Sequence, residues 1–200
     1  VSSSTTTDLP EAPNGSSRRP LIIAAVIAFL VVVIGIGSLF VNKSGTSSNS
    51  LISSTARVGQ PVPTFTLPNL MGPGTVGVPQ DGGSKGKPAV LVFFASWCGP
   101  CQKEMPALAA AVRSGDAGKA SVIGIDGADN PSSAIAFVQK TGITFPVGAD
   151  SSYAVTSGKF GFSGLPETVF VNGKGIVTEI HFGATTPALL RQGVKNMGAQ

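Results

Sequence analysis

The apolar residues of this chain fall into one long block followed by a series of shorter runs. Leu21–Val41 holds no charged side chain, and Ser38 is its one polar side chain. As a helix that block reaches about 31 Å, close to the hydrocarbon thickness of a bilayer. The shorter runs begin after residue 55. Phe65-Thr66-Leu67 predicts a short strand, and Met71–Pro88 reads as a Gly/Pro-rich loop. Ala89–Phe94 is continuously apolar between Pro88 and a cysteine motif, the pattern of a strand buried on both faces. Cys98–Val112 has helical spacing, with Pro106 placed to kink it. Ser121–Ile125 predicts a second buried strand, and Pro131–Lys140 predicts a helix ending at Gly142. Ile143–Val147 predicts a short edge strand, since Pro146 fits poorly in a central one. Ser151–Ser157 predicts a helical turn. Thr168–Val171 and Ile176–Phe182, separated by Asn172-Gly173-Lys174-Gly175, predict a hairpin, and Pro187–Asn196 a closing helix. The order βαβαβ, hairpin, helix predicts an α/β fold with a mixed sheet. No internal repeat is visible.

The flanks of the long block set an orientation. Arg18 and Arg19 precede it and Lys43 alone follows closely. The positive-inside rule then keeps the N-terminus in the cytoplasm and puts everything after Val41 outside. A cleaved signal peptide is the rival, but its apolar core usually runs about 7–15 residues and ends in a small-x-small site. Ser38-Leu39-Phe40-Val41 is a poor site of that kind, which favours an uncleaved signal-anchor. Val1–Pro20 is Ser/Thr/Pro-rich, with Val1 and Leu9 as its sizeable apolar residues, and too little to bury against its chain entropy. The expected organisation is a disordered cytoplasmic tail over 1–20 and a transmembrane helix over 21–41. A flexible Gly/Ser/Asn linker over 42–54 and one folded domain over 55–200 follow.

Composition narrows the function. Charged residues make up 12% of the 200 and the apolar set 42%, which excludes a wholly disordered chain. A formal charge of +4 is no nucleic-acid footprint. Two cysteines cannot staple a disulfide-dense fold, and with one histidine they cannot complete a structural zinc site. No metal and no cofactor are expected.

Trp97-Cys98-Gly99-Pro100-Cys101 follows the buried strand directly and opens a helix. A thiolate is the nucleophile of disulfide exchange, and a helix N-terminus stabilises negative charge. Cys98, nearer the helix end, is the expected attacking thiol; Cys101, one turn in, is expected to resolve the mixed disulfide. Such a pair also occurs in zinc and haem sites. Zinc needs two further ligands, and c-type haem attachment needs a histidine where Gln102 stands. A purely structural disulfide gains little, because so short a loop removes little chain entropy on closure.

The stretch AVLVFFASWCGPCQKEMPAL, Ala89–Leu108, resembles the thioredoxin superfamily, and within it the membrane-anchored TlpA/ResA/CcmG-like (DsbE-like) thiol–disulfide oxidoreductases. The resemblance runs from Arg57 to Met197. Arg57–Leu67 is similar to an opening segment that this branch shares with peroxiredoxins. It implies a thioredoxin fold, a mixed central sheet flanked by helices, preceded by one transmembrane helix. An extra strand–helix insertion is expected within Ala128–Ser152. Pro106 matches the kinking proline of the active-site helix. Gly164-Leu165-Pro166-Glu167-Thr168 resembles the loop whose cis-proline faces the cysteines, exposes the Leu165 backbone to a substrate strand and keeps metal out. The residues alone leave an ordinary trans turn open, since about 5–6% of X-Pro bonds in folded proteins are cis.

The same likeness implies a substrate surface of Trp97, Gly99, Pro100, Leu165 and Pro166, a Cys98–Cys101 disulfide, and a role for Glu104 in the proton chemistry of the pair. Glu104 stands three residues after Cys101, on the same helical face. The plainer reading is a solvated first-turn acid. Thioredoxins proper carry a buried aspartate where this chain has Val92, which leaves Glu104 as the nearest candidate acid/base. His181 is expected to be structural or exposed, and Phe160 and Phe162 to pack as core under the proline loop.

The implied activity is disulfide exchange in other proteins outside the cytoplasm by an enzyme tethered to the cell membrane. Reduction fits cytochrome c maturation, where apocytochrome CxxCH thiols must be free, with electrons from a membrane donor of the CcdA/DsbD type. The Gly-Pro pair resembles reducing thioredoxins, near −270 mV. Oxidation of secreted proteins is the alternative direction. A peroxidase is disfavoured by Ala95, where peroxiredoxins place a threonine, and a copper-delivery module of the SCO type by the cysteine spacing and the distant His181.

Overall fold

The computed structural model of the protein describes residues 55–78 and 86–198. The expected tail, membrane segment and linker lie outside the described residues. Among those described, no helix is long and apolar enough to cross a membrane.

The centre of the domain is β3 (Ala89–Phe94), buried at every position. It pairs in parallel with β4 (Ser121–Gly127) and antiparallel with β6 (Glu167–Val171). β5 (Val147–Asp150) extends the sheet in parallel beyond β4, and β7 (Val177–Phe182) closes the other side antiparallel to β6. The order is β5-β4-β3-β6-β7. Strand alternation divides the core in two. Val90, Val92 and Phe94 face α1 (Gly99–Arg113), α2 (Pro131–Thr141) and α3 (Pro187–Asn196) through Met105, Leu108, Phe137, Val138, Leu190 and Val194. Leu91 and Phe93 face the opposite way, onto Phe65, Phe160 and Phe162. Phe93 packs edge-on to Phe162 with centroids 5.0 Å apart, and at 4.8 Å from Phe160, so these aromatics are core as expected.

Two departures from the sequence reading have local causes. The expected Gly/Pro loop contains a strand, β2 (Thr75–Val78), paired antiparallel with β1 (Phe65–Pro68). Its pairing depends on Gly77, where a Cβ would stand 2.0 Å from the Phe65 carbonyl oxygen. The edge strand expected over Ile143–Val147 begins at Val147 instead and ends on a polar residue, Asp150. There β1 approaches so closely that a Cβ on Gly148 would lie 2.9 Å from Leu67.

The remaining elements follow their local chemistry. Asn130 caps α2 by accepting from the Ser132 N–H, and Gly142 ends it in the left-handed region at φ 71°. The expected helical turn is a single π turn over Ala154–Lys159, begun by the buried Asp150 carboxylate, which accepts from the Val155 and Thr156 N–H groups and the Thr156 hydroxyl. Helix α1 runs as one element through the exposed Pro106. The span where the resemblance implies extra elements, Ala128–Ser152, holds α2 and β5.

Candidate active site

The chain leaves the buried end of β3 at Phe94, turns through Ala95, Ser96 and Trp97, and enters α1. Cys98 is the N-cap of that helix, extended at φ −78° and ψ 108°, and its Sγ accepts the Cys101 N–H at 3.2 Å. An unpaired amide of the first turn is thereby aimed at the sulfur. Such a donor and the positive helix end both favour a thiolate over a thiol at this atom. Cys98 and Cys101 are joined in a disulfide, with Cα atoms 5.2 Å apart. Cys101 is fully buried and Cys98 retains 4% exposure, so access differs in the expected sense, although both are more enclosed than a surface thiol. Gly99, Pro100 and Trp97 are the exposed rim. Trp97 is 58% exposed, and its indole N–H donates to the Ala128 carbonyl at 3.1 Å.

The Leu165–Pro166 bond is cis. Pairing of Phe93 with Glu167 sets Pro166 beside the end of β3 that leads into the cysteines. The Pro166 carbonyl accepts from the Gly183 N–H at 2.9 Å, and Leu165 packs against both halves of the core. The structure therefore gathers the proline loop and the cysteine turn at one end of the sheet.

Glu104 is not a solvated acid. It is 7% exposed, its Oε2 accepts from the Thr185 N–H at 3.0 Å, and its Oε1 has no hydrogen-bond partner. Thr185 is anchored in turn by donating its hydroxyl to Thr168 Oγ1 at 2.9 Å. Burial pushes the Glu104 carboxyl up to about 7, against the opposing pull of the Thr185 amide. An acid that changes charge near neutrality thus sits one turn behind Cys101. Val92, where thioredoxin carries an aspartate, is fully buried among apolar side chains.

Three further buried acids escaped the sequence reading: Asp150, whose carboxylate starts the π turn, and Glu167 and Asp126. Glu167, next to Pro166, is 5% exposed with Oε2 unpartnered, and burial raises it to about 7. Its pairing with Phe93 turns it onto the aromatic face, a register that the folded sheet sets and the sequence does not. Asp126 lies next to last in β4, one residue beyond the predicted strand, and burial followed by the neighbouring Asp129 raises it to about 8. His181 is partly exposed, with Nε2 3.2 Å from the Ala184 carbonyl, a structural contact as expected. Among the described residues no three His, Cys, Asp or Glu side chains gather as metal ligands.

Residues 58–180 match the AhpC/TSA family. The chain is 28% identical over 178 residues to the thiol:disulfide interchange protein DsbE of Escherichia coli (strain K12), covering 89% of this chain and 92% of that protein. It is 32% identical over 142 residues to the thioredoxin-like protein YneN of Bacillus subtilis (strain 168), covering 67% and 76% respectively. Among solved structures, MTB DsbF in its mixed oxidised and reduced forms superposes with a TM-score of 0.58 at 28% identity, over 66% of this chain and 94% of that one.

Proposed function

This chain belongs to the AhpC/TSA family and is a thiol–disulfide oxidoreductase of the DsbE type, and from that premise we propose that it reduces disulfides of client proteins outside the cytoplasm while tethered to the cell membrane. The observation that carries the chemistry is Cys98 at the α1 N-cap, with the Cys101 amide on its sulfur and Glu104 buried one turn behind Cys101. In the reduced enzyme the Cys98 thiolate attacks one sulfur of a client disulfide, and the other client sulfur leaves as a thiolate. Cys101 then attacks Cys98 Sγ, which frees the second client thiol and forms the Cys98–Cys101 bond. Glu104 takes the proton that Cys101 must lose, a role open to a group that titrates near 7. Trp97, Gly99, Pro100 and the Leu165–Pro166 loop form the surface against which the client lies.

Apocytochrome c CxxCH pairs are the proposed clients and a membrane thiol donor of the CcdA/DsbD type the proposed electron source. Leu21–Val41, behind Arg18 and Arg19, supports the tether and the side of the membrane. A peroxidase reading lacks a donor: Ala95, three residues before Cys98, is fully buried and offers no hydroxyl.

The test is capture of the intermediate. Cys101→Ser should accumulate mixed disulfides with an oxidised CxxCH peptide and with cellular clients, and Cys98→Ser should not. Equal trapping by both variants would remove the assignment of Cys98 as attacker. Carbonate washing should leave the full chain in membranes, and its release would count against the tether.

A further inference from the structure

The segment that follows β7 holds Glu104 in place. Gly183 donates its N–H to the Pro166 carbonyl at 2.9 Å, and two residues later Thr185 donates its N–H to Glu104 Oε2 at 3.0 Å. Between them the Ala184 carbonyl lies 3.2 Å from His181 Nε2. The short link between the end of β7 and Thr186, the N-cap of α3, is thus bonded both to the proline loop and to the buried acid.

The Thr185 side chain ties that link to the central sheet. Its hydroxyl donates to Thr168 Oγ1 at 2.9 Å, and both threonines are buried. Thr168 of β6 is in register with Val92 of β3 and His181 of β7, so its side chain stands on the helix-bearing face, where α1 buries Cys101 and Glu104. The remainder of β6, Val169–Val171, is apolar. A contact that served packing alone would be met as well by two apolar side chains, because replacing both partners of a buried hydrogen bond by groups of the same shape costs little. What the hydroxyl pair adds is direction, since it fixes Thr185 against a strand and so aims its N–H. Glu104 Oε1 has no hydrogen-bond partner, so the carboxyl depends on that N–H. Residues three apart on a helix have Cβ atoms about 5–6 Å apart, so the aim of Glu104 decides what Cys101 meets.

We propose that Thr168 and Thr185 are positioning residues for disulfide exchange: the bond between their hydroxyls seats the Thr185 N–H on Glu104, and so sets where that carboxyl stands behind Cys101 and how readily it ionises. Weakening the seat withdraws a donor that favours the carboxylate, and Glu104 then keeps its proton to higher pH. The ionisable groups that the elements bring to this face of the sheet are Cys98 and Cys101 of α1, His181 of β7 and, in register with Phe94, Asp126 of β4. Lys103 of α1 is exposed, and α2 and α3 turn Phe137, Val138, Leu190 and Val194 inward. Burial and the Thr185 amide are what act on the Glu104 proton. The inference rests on the proton role proposed for Glu104, but its first readout, on the oxidised protein, involves neither exchange nor a client.

Full-length oxidised protein carrying 13C at its glutamate carboxyls is titrated from pH 4 to pH 10, with Glu104 identified as the resonance lost in Glu104→Gln. Its midpoint should lie at about 7 in the wild type. Thr168→Val keeps the shape and removes the hydroxyl, and should raise that midpoint by about tenfold in proton affinity, the equivalent of one hydrogen bond to a charged group. Thr168→Ser keeps the hydroxyl and should titrate as wild type. An unmoved midpoint in Thr168→Val, or the same rise in Thr168→Ser, overturns the proposal. Should Thr168→Val fail to fold, Thr185→Val removes the same bond and leaves the N–H. It should give the same rise, and an unmoved midpoint there is equally fatal. The reduced protein reads the link to the cysteines. Thr168→Val should bring the thiolate absorbance curve to lower pH, because Glu104 stays neutral further into the range where the thiols ionise. In a Glu104→Gln background it should bring no further change. A curve that moves equally with and without the Glu104 carboxyl would show packing on the cysteines and overturn the positioning role. An unchanged curve in Glu104→Gln itself would remove the role of Glu104 and this proposal with it, whereas an unmoved Glu104 midpoint removes the proposal alone.

Discussion

Replacing Glu104 with glutamine keeps the shape of the side chain and an acceptor for the Thr185 N–H, and removes one ionisation. In the unfolded chain this carboxyl loses its proton near 4.5, and in the folded chain at about 7. Below the lower value both states hold the proton and pH has no effect through this group. Between the two, the unfolded state releases a proton that the folded state keeps, so stability falls as pH rises. At about 1.4 kcal/mol for each tenfold change in proton affinity, the loss reaches about 3 kcal/mol by pH 8. Above about 7 it levels off, because both states are then ionised. Glu104→Gln lacks this slope. The amide meets the site where Oε1 has no partner, and any penalty from that mismatch is the same at every pH, so the difference between two pH values isolates the ionisation. Urea unfolding of the oxidised proteins at pH 4 and pH 8 measures it. Relative to wild type, the variant should gain about 3 kcal/mol between those two values. A pH-independent difference would show that Glu104 is not held as a neutral acid in the folded protein, and the proton role assigned to it would fall.

Gly77→Ala should destabilise the domain by about 2–4 kcal/mol in thermal or urea unfolding, since its Cβ would meet the Phe65 carbonyl at 2.0 Å and β1 could not stay paired. A neutral result would mean that the β1–β2 pairing adds nothing to the fold. Titration of the reduced cysteines by thiolate absorbance should shift to lower pH in Glu104→Gln, because the like charge behind Cys101 is gone. The two thiols titrate as a coupled pair, so the shift belongs to their macroscopic values. An unchanged curve would separate Glu104 from the cysteine chemistry.

What was legible along the chain was the chemistry that local pattern controls. Continuous apolarity in Ala89–Phe94 marked the central strand, and a cysteine at the strand-to-helix junction put a sulfur at the helix start, which the structure refines to the N-cap. The spacing of Glu104 from Cys101 put it on the right helical face, but its burial depends on Thr185, which is 81 residues away. The cis bond at Pro166 came from resemblance alone, because a proline after leucine carries no local sign of its isomer. Glu167, Asp126 and Asp129 went unread for a related reason. Whether an acid is solvated or enclosed is decided by distant neighbours, and an acid after the apolar run Val122–Ile125 reads locally as the start of a loop. β2 was hidden similarly, since a glycine in a four-residue strand looks like a turn until the opposing backbone is in place.

The central claim, that Cys98–Cys101 works as a reductant, is tested most directly by its reduction potential, measured by equilibration of the full chain with glutathione or dithiol buffers at pH 7. The Gly99-Pro100 pair between the cysteines and a buried Glu104 that disfavours a lasting thiolate point to a value near thioredoxin's, about −270 mV. A value near that of DsbA, about −120 mV, would mean that the reduced form is the stable one, and the protein would then be a disulfide donor.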